Sequence, residues 1–240
     1  RINVSDNDTP ARIYSQLRAN PEFRRLFGDR IHKHLFNGGA LTPANNVARL
    51  VSRATSIERA IVGESARWGD AREFAISPNP GTGKTFTRDE WWSPELRKLE
   101  TNFFPTLNQT NLARFRAGGL YPSLAAPEFS RFGGEIPPDN GLVVTQANAG
   151  GIVYFTVDGA DPRVYGTGAI ASSARAYVAP MVFTDRTIVR ARVLLGGEWS
   201  ALVEAVFWPP QYFTKLRLTE IMYHPPSAGV DDAEEFEFLE

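Results

Sequence analysis

The hydrophobic pattern of this chain changes its period near residue 122, and this change constrains the fold more than any other feature. Before it, apolar residues recur every three to four positions, as in amphipathic helices. After Ala125, apolar and polar residues alternate, as in strands with one buried face. The charge changes at the same place, from 18 basic against 12 acidic residues in 1–122 to 8 against 15 in 123–240. We therefore predict a boundary between two structural parts there.

The first part, residues 1–122, is predicted to be all-α. A capping residue followed by proline marks the start of a helix, and this pair occurs at Thr9-Pro10, Asn20-Pro21 and Thr42-Pro43. Thr87 and Glu90 form a capping box ahead of a further helical stripe. Gly38-Gly39 follows the last apolar residue of one stripe, where helices commonly end.

The second part, residues 123–209, is predicted to be an antiparallel β-sandwich of the immunoglobulin or fibronectin III-like kind. Residues 151–157 are rich in β-branched and aromatic side chains, and apolar residues alternate along 189–195 and 199–207. Gly196-Gly197 lies between the last two strands and is typical of a tight hairpin turn, because such turns need positive φ. We expect this hairpin to be central, with four side chains facing inward: Val189, Val193, Trp199 and Val203.

The third part begins after Trp208-Pro209-Pro210, a predicted linker, because proline cannot continue a strand ladder. The segments 216–223 and 235–240 then indicate two further strands. We expect residues 210–240 to be the truncated start of a second, incomplete β module. On this interpretation the chain is a multidomain α and β fragment of a larger protein.

Residues 21–122 contain a series of short motifs in a fixed order. They are Pro21-Glu22-Phe23-Arg24, Phe27-Gly28-Asp29-Arg30, His34, Phe36-Asn37-Gly38-Gly39, Leu41-Thr42, Glu64-Ser65-Ala66-Arg67-Trp68-Gly69-Asp70, Thr87-Arg88-Asp89-Glu90-Trp91, Phe104-Pro105 and Gly119-Leu120-Tyr121-Pro122. With these motifs the segment resembles the C-terminal part of CotH-type (spore-coat) kinase-like proteins. The resemblance implies an atypical protein kinase that transfers phosphate from ATP to Ser, with its nucleotide- and metal-binding acids N-terminal to this stretch. No catalytic residue carries over to the present chain.

Two further segments also resemble known modules. The run from Ile152 to Arg163 is similar to the characteristic strand and turn of the chitobiase/hexosaminidase C-terminal module, which is a fibronectin-like sandwich. The run from Leu218 to Tyr223, followed by Pro225 and residues 235–240, resembles the first strands of a bacterial lamin-tail domain. That family usually has Asn where this chain has His224, so no role is assigned to His224.

Together the three resemblances imply a large exported bacterial protein located outside the cell or on its surface. We expect this chain to be a non-catalytic modular segment that packs and presents β-sandwich modules, with cell-surface carbohydrate or protein as candidate contacts. Its partners in the parent chain would be an upstream kinase-like lobe and downstream lamin-tail strands. The alternative is enzymatic: residues 1–122 complete the C-terminal lobe of a phosphotransferase whose active site lies upstream.

Some local patterns could bind phosphate or metal ions, but a structural role explains each of them better. Residues 81–85 (Gly-Thr-Gly-Lys-Thr) resemble a phosphate loop, yet Pro78 stands where the pattern requires Gly, and no apolar strand precedes it. His32 and His34 lie two apart on a predicted helix and so point to different faces. Asp158 and Asp161 lie around an Asp-Gly turn and offer a hard cation only two carboxylates. We predict no catalytic, cofactor-binding or metal-binding residue and no cofactor.

Other ligand classes are disfavoured on composition and position. The basic balance of the first part includes no run of five like charges, so we predict no nucleic-acid partner. The apolar runs are too short to cross a bilayer, and the absence of Cys excludes disulfides and thiolate sites. Three tryptophans could stack on sugars but fall on or near faces predicted to be buried, which favours core packing: Trp91, Trp92 and Trp199.

Overall fold

A computed structural model describes residues 11–70, 85–137, 139, 141–212, 214, 216–223, 225–229 and 232–239. The described chain is a mixed α and β structure in which helices precede residue 118 and strands follow residue 127, apart from one short 3-10 helix. The sequence prediction of a change in secondary structure near residue 122 is therefore confirmed. His224 and residues 81–84 of the loop that resembles a phosphate loop lie outside the described residues.

Two helices begin at the prolines of predicted caps, and the third predicted cap, Thr9-Pro10, lies outside the described residues. The first three are α1 (Ala11–Leu17), α2 (Pro21–Leu35) and α3 (Pro43–Trp68). Asn20 caps α2 by accepting hydrogen bonds from the backbone N–H groups of Glu22 and Phe23, at 2.8 and 3.3 Å. After the glycine turn at 38–39, Thr42 precedes α3 in an extended conformation.

The last helical stretch alternates between π and α geometry. A π-helical turn, Arg88–Trp92, leads into α4 (Ser93–Lys98), and a second, Leu99–Phe103, leads into α5 (Phe104–Ala117). Each α segment carries a proline in its first turn, Pro94 and Pro105, and proline lacks the N–H that the regular ladder uses. The capping box is present in part, since Thr87 Oγ1 accepts the backbone N–H of Glu90 at 3.2 Å.

The strands form one large sheet and two small pairs. The strands are β1 (Glu128–Phe129), β2 (Gly134–Glu135), β3 (Val144–Thr145), β4 (Ile152–Thr156), β5 (Arg175–Ala176), β6 (Thr187–Leu195), β7 (Glu198–Trp199), β8 (Val203–Trp208), β9 (Ile221–Met222) and β10 (Phe238–Leu239). The large sheet has the order β2-β8-β6-β4-β5, with β7 paired to β6. Among the described strand pairs, β2–β8 alone is parallel, and a single parallel bridge also joins Asp158 to Ile188. The pairs β1–β3 and β9–β10 are antiparallel.

The hairpin between β6 and β7 has the predicted two-glycine turn. Gly196 and Gly197 have φ of 59° and 83°, a conformation that favours glycine. The register then slips within the same strand pair: Leu194 faces Trp199, whereas Ala191 faces Val203. The chain advances four residues from Trp199 to Val203, while the paired stretch of β6 from Leu194 to Ala191 covers only three. The extra residue forms a β-bulge at residues 200–202.

The main core lies on one face of the large sheet. Val189, Val193, Trp199 and Val203 are at most 1% exposed, so their predicted burial is confirmed. Their predicted common inward face is wrong for Trp199, which pairs with Leu194 and so lies on the face of the sheet opposite to Val189 and Val193. A cluster around Leu142, Val189, Val193 and Phe207 fills this face. Trp199 lies outside this cluster, contacts Tyr154 edge to face, and donates from its indole N–H to the carbonyl of Gly168 at 2.8 Å.

A second cluster joins the helices to the sheet. It combines Ile31 of α2 with Tyr121, Ala126, Ala201 and Val203. Aromatic side chains of α2 and α5 pack against this cluster, and the rings of Phe27 and Phe115 lie 5.9 Å apart between centroids. The helical part (residues 11–121) and the β part (residues 122–208) therefore share buried apolar surface across the predicted boundary.

Candidate functional site

The junction between α2 and the large sheet holds the densest set of buried charges among the described residues. Val189, Ala191 and Val193 of β6 point into the main core, so Arg190 and Arg192 project from the opposite face, towards α2. Arg192 is only 4% exposed. Long-range ion pairs join α2 to the β part at this place.

Arg192 binds two carboxylates at once. Its Nη1 and Nη2 donate to Asp29 Oδ1 and Oδ2 at 2.8 and 2.7 Å. Its Nε and Nη2 donate to Asp161 Oδ1 and Oδ2 at 2.7 and 2.6 Å. Both pairs are bidentate, the geometry in which guanidinium and carboxylate bind most strongly. One buried arginine thus ties α2 to the loop after β4.

The same network completes the β-bulge. A bulge leaves backbone groups without a partner in the ladder. The N–H of Leu202 donates to Asp29 Oδ1 at 2.8 Å, and Arg192 Nη1 donates to the carbonyl of Ser200 at 2.9 Å. The Ser200 hydroxyl accepts the backbone N–H of Val193 at 2.9 Å. The bulge therefore exposes backbone groups that the α2–sheet ion pair satisfies.

A second arginine repeats the contact at the start of α2. Arg163 forms a two-bonded ion pair with Glu22, a residue of the first turn of α2. The Arg163 hydrogen bond lowers the pKa of the Glu22 carboxyl below its ordinary value. The backbone N–H of Arg163 also donates to Asp161 Oδ1 at 2.9 Å, so the two ion pairs are linked through one turn. We call this set the junction network: Glu22, Asp29, Asp161, Arg163 and Arg192.

The electrostatics of the junction network favour the charged forms. Burial by itself would raise the pKa of Asp161, but the hydrogen bonds and charge of Arg192 outweigh burial and hold that pKa below its usual value. Burial would likewise lower the pKa of Arg192, and the two carboxylates raise it instead. Each buried charge is therefore balanced by another member of the network, as a buried ion pair requires.

A buried histidine lies beside the network. His32 is 6% exposed, and its Nδ1 lies 2.8 Å from the hydroxyl of Tyr121. Its ring stacks on Phe36 at 4.5 Å between centroids, and its buried Nε2 has no hydrogen-bond partner among the described residues. Burial lowers the pKa of His32 to about 4 and raises that of Tyr121 to about 12. His32 is therefore a neutral packing residue at ordinary pH.

A cleft of about 390 Å³ opens between α2, the 36–39 turn and the sheet. Its charged wall pairs internally: Arg190 Nε donates to Glu204 Oε2 at 2.6 Å, and Lys33 Nζ lies 3.8 Å from Glu204 Oε1. Asp29 and Asp161 also line the cleft and are bound to Arg192. The acidic groups that meet here are thus bound to cations of the chain itself, a chemistry suited to holding two elements together.

The candidate residues of the sequence analysis have different positions in the structure. His32 is buried and His34 is exposed, so the two do not converge. Asp158 is exposed and accepts the backbone N–H of Ala160 at 2.9 Å, the turn role that the sequence predicted. Asp161 makes a similar turn contact, but its pairing with Arg192 was not predicted.

None of the described helices is both long and apolar enough to cross a membrane. Within the described part of the chain, no three His, Asp or Glu side chains gather in a way that could hold a metal ion.

Comparison with protein-family models, curated proteins and solved structures finds no match for this chain.

Proposed function

We propose that this chain is a non-catalytic coupling segment of a larger exported bacterial protein. In this role the helical part holds the β part in one orientation, so that the surfaces of the β modules are presented to carbohydrate or protein at the cell surface. The observation that carries the proposal is the bidentate binding of Arg192 to both Asp29 and Asp161 inside the junction.

The geometry of Arg192 supports a fixed orientation. All three guanidinium nitrogens donate, to two carboxylates and to one backbone carbonyl. A displaced α2 would leave a buried charge without its partner, and such a loss costs about 3–5 kcal/mol. Apolar contacts tolerate small slips more easily than paired charges do, because they are not directional. The network therefore favours one arrangement of the two parts over its neighbours.

The resemblances noted in the sequence supply the context of the proposal. The CotH-type motifs cover the helical part, and the chitobiase-like strand and turn contain Asp161 and Arg163. The two resemblances thus meet at the junction network. The network would be the means by which a fibronectin-like module is attached to a kinase-like C-terminal segment in an exported protein.

The orientation can be tested by distance measurements between spin labels. The chain has no native Cys, so Ala60→Cys on α3 and Val178→Cys in the β part introduce the sole labelling sites. Both positions are exposed. We expect one narrow distance distribution in the labelled parent and a broader one when Asp29→Asn is added. The matched control is Lys33→Met, which removes a longer, exposed contact and should keep the distribution narrow.

A broad distribution in the labelled parent would contradict the proposal directly. So would a distribution that Asp29→Asn leaves unchanged, since the junction network would then have no part in fixing the orientation. Circular dichroism of each variant shows whether the helices and strands remain folded, so that loss of orientation is distinguished from unfolding.

A further inference from the structure

An aromatic groove lies on the helical part, outside the junction network. It occupies about 360 Å³ between the end of α3 and the π-helical turn Arg88–Trp92. Its walls include four aromatic side chains: Trp68, Phe86, Trp91 and Trp92. Trp68 is 46% exposed, a large exposure for tryptophan, while Trp91 and Trp92 are half-buried. The sequence prediction that Trp91 and Trp92 pack in the core is therefore only partly right.

The groove is held in shape by contacts between its two sides. The backbone N–H of Phe86 donates to the carbonyl of Gly69 at 3.1 Å, next to Trp68. A Cβ at Gly69 would lie 2.5 Å from the Ser65 carbonyl oxygen, so the chain is closely packed there. Phe86 packs on Trp91 with ring centroids 4.6 Å apart. These contacts position Phe86 and Trp91 before any ligand arrives, which lowers the entropic cost of binding.

The polar groups of the groove are acidic. Glu64 and Glu95 line it, and no Lys or Arg does so among the described residues. Glu64 lies four residues before Trp68 on α3 and so shares its face. Glu95 pairs with Lys98, whereas Glu64 has no ion pair with any described residue. The groove therefore presents beside its aromatic faces an exposed carboxylate that has no ion pair among the described residues.

We propose that this groove binds a small quaternary-ammonium ligand of the choline type. The faces of aromatic rings attract cations, and a quaternary ammonium is the cation that such sites recognise most readily. The Arg67 guanidinium lies 5.0 Å from the centre of the Trp68 ring, so this ring already contacts a cation of the chain, and Phe86, Trp91 and Trp92 supply the remaining aromatic surface. Glu64 supplies the opposite charge. A sugar could also stack on tryptophan and donate hydroxyl hydrogen bonds to Glu64, but it would bring no positive charge to this carboxylate.

Choline and its uncharged isostere 3,3-dimethylbutan-1-ol provide the test, with cellobiose as the sugar probe. The indole N–H signals of the full chain are followed by NMR during each titration. We expect saturable shifts for the groove tryptophans, with choline bound about 5-fold more tightly than the isostere. Trp68→Leu and Glu64→Gln should each weaken choline binding by about 3- to 10-fold.

Matched controls use residues outside the groove. Trp208→Leu removes another partly exposed tryptophan, and Glu90→Gln removes an exposed carboxylate of the same helical stretch; neither should change choline binding. The indole signal of buried Trp199 reports that each variant is folded. Equal affinity for choline and the isostere, tighter binding of cellobiose, or unchanged binding in Trp68→Leu and Glu64→Gln would overturn the proposal. The absence of saturable shifts up to tens of millimolar choline, on the order of the weakest specific affinities, would do so as well.

Discussion

At the scale of single residues, the buried position of Arg192 depends on its hydrogen-bond and ion-pair partners. A buried arginine without partners would be very unfavourable, yet here every nitrogen of the guanidinium donates a hydrogen bond. The carboxylates of Asp29 and Asp161 depend on it in return, because both face the same junction. Removing one of these three side chains therefore leaves at least one of the others buried without one of its ion-pair partners, which lowers the free energy of unfolding.

The first prediction follows from this dependence. Arg192→Met keeps much of the side-chain volume but leaves Asp29 and Asp161 without their main cation. We expect the free energy of unfolding to fall by about 3–5 kcal/mol, measured by urea denaturation. Lys33→Met, which removes an exposed contact to Glu204, should change it by less than about 1 kcal/mol. Similar losses in the two variants would show that burial does not govern the strength of the junction.

The second prediction concerns the pH dependence caused by His32. Its pKa is about 4 in the folded chain and 6.5 without burial, so between these values the unfolded chain binds a proton that the folded chain does not. Stability should therefore fall as the pH falls through that window, and rise again with pH. His32→Phe removes this contribution. We expect the stability that is lost between pH 7 and pH 4 to be smaller by about 3 kcal/mol in His32→Phe.

Other ionisable groups lie near His32, and their surroundings must be the same in the parent and in His32→Phe for the comparison to report on His32 alone. Tyr121 contacts the ring, and Arg116 lies over Tyr121. The cleft that His32 lines also contains six charged side chains: Asp29, Arg30, Lys33, Asp161, Arg190 and Glu204. Their contributions largely cancel when His32→Phe is compared with the parent at each pH. His34→Gln, at an exposed position, is the control and should keep the full pH dependence; an equally steep loss in His32→Phe would contradict the assignment.

At the scale of elements, the β6–β7–β8 hairpin combines a regular turn with an irregular return strand. The turn at Gly196-Gly197 sets the register of β7, and the bulge at 200–202 shifts the register of β8. Trp199 lies immediately before the bulge, 1% exposed, with its indole bound to Gly168. This tryptophan therefore anchors the strand at the place where the ladder changes register.

The third prediction compares two tryptophans of this hairpin. Trp199→Ala should lower the free energy of unfolding by about 3–5 kcal/mol, because it removes a large buried side chain and leaves a cavity. Trp208→Ala, at a position 37% exposed at the end of β8, should cost clearly less. Thermal denaturation followed by near-ultraviolet circular dichroism measures both. If Trp199→Ala unfolds within a degree or two of the parent, Trp199 does not anchor the hairpin.

Local patterns predicted the elements better than the contacts between them. The cap at Asn20, the turn at Gly196-Gly197 and the inward alternation along β6 depend on neighbours in sequence, and each is present as expected. The bulge could not be predicted, because its N–H at Leu202 is satisfied by Asp29, 173 positions away. Alternation did place Arg190 and Arg192 on the face opposite the core. What the sequence did not show is that α2 covers that face.

At the scale of the whole molecule, the predicted boundary near residue 122 is a change of secondary structure and also a place of contact. Tyr121 and Ala126, on either side of it, belong to the same buried cluster as Ile31 and Val203. Pro127 is almost fully buried. The boundary at Trp208-Pro209-Pro210 differs, since residues 211 and 212 are exposed and Tyr212 retains 82% of its surface.

The last prediction uses this difference between the two boundaries. A protease cleaves where an exposed segment can leave the structure, and a segment packed into a shared core does so only on partial unfolding. We therefore expect brief digestion with subtilisin to cut within residues 209–218 while leaving 120–127 intact, as mass spectrometry of the fragments would show. In Arg192→Met the junction network is broken, so cleavage at 120–127 should appear and quicken, while the rate at 209–218 stays the same. Early cleavage at 120–127 in the parent chain would mean that the helical and β parts are joined only by a linker, and the proposed fixed orientation would be wrong.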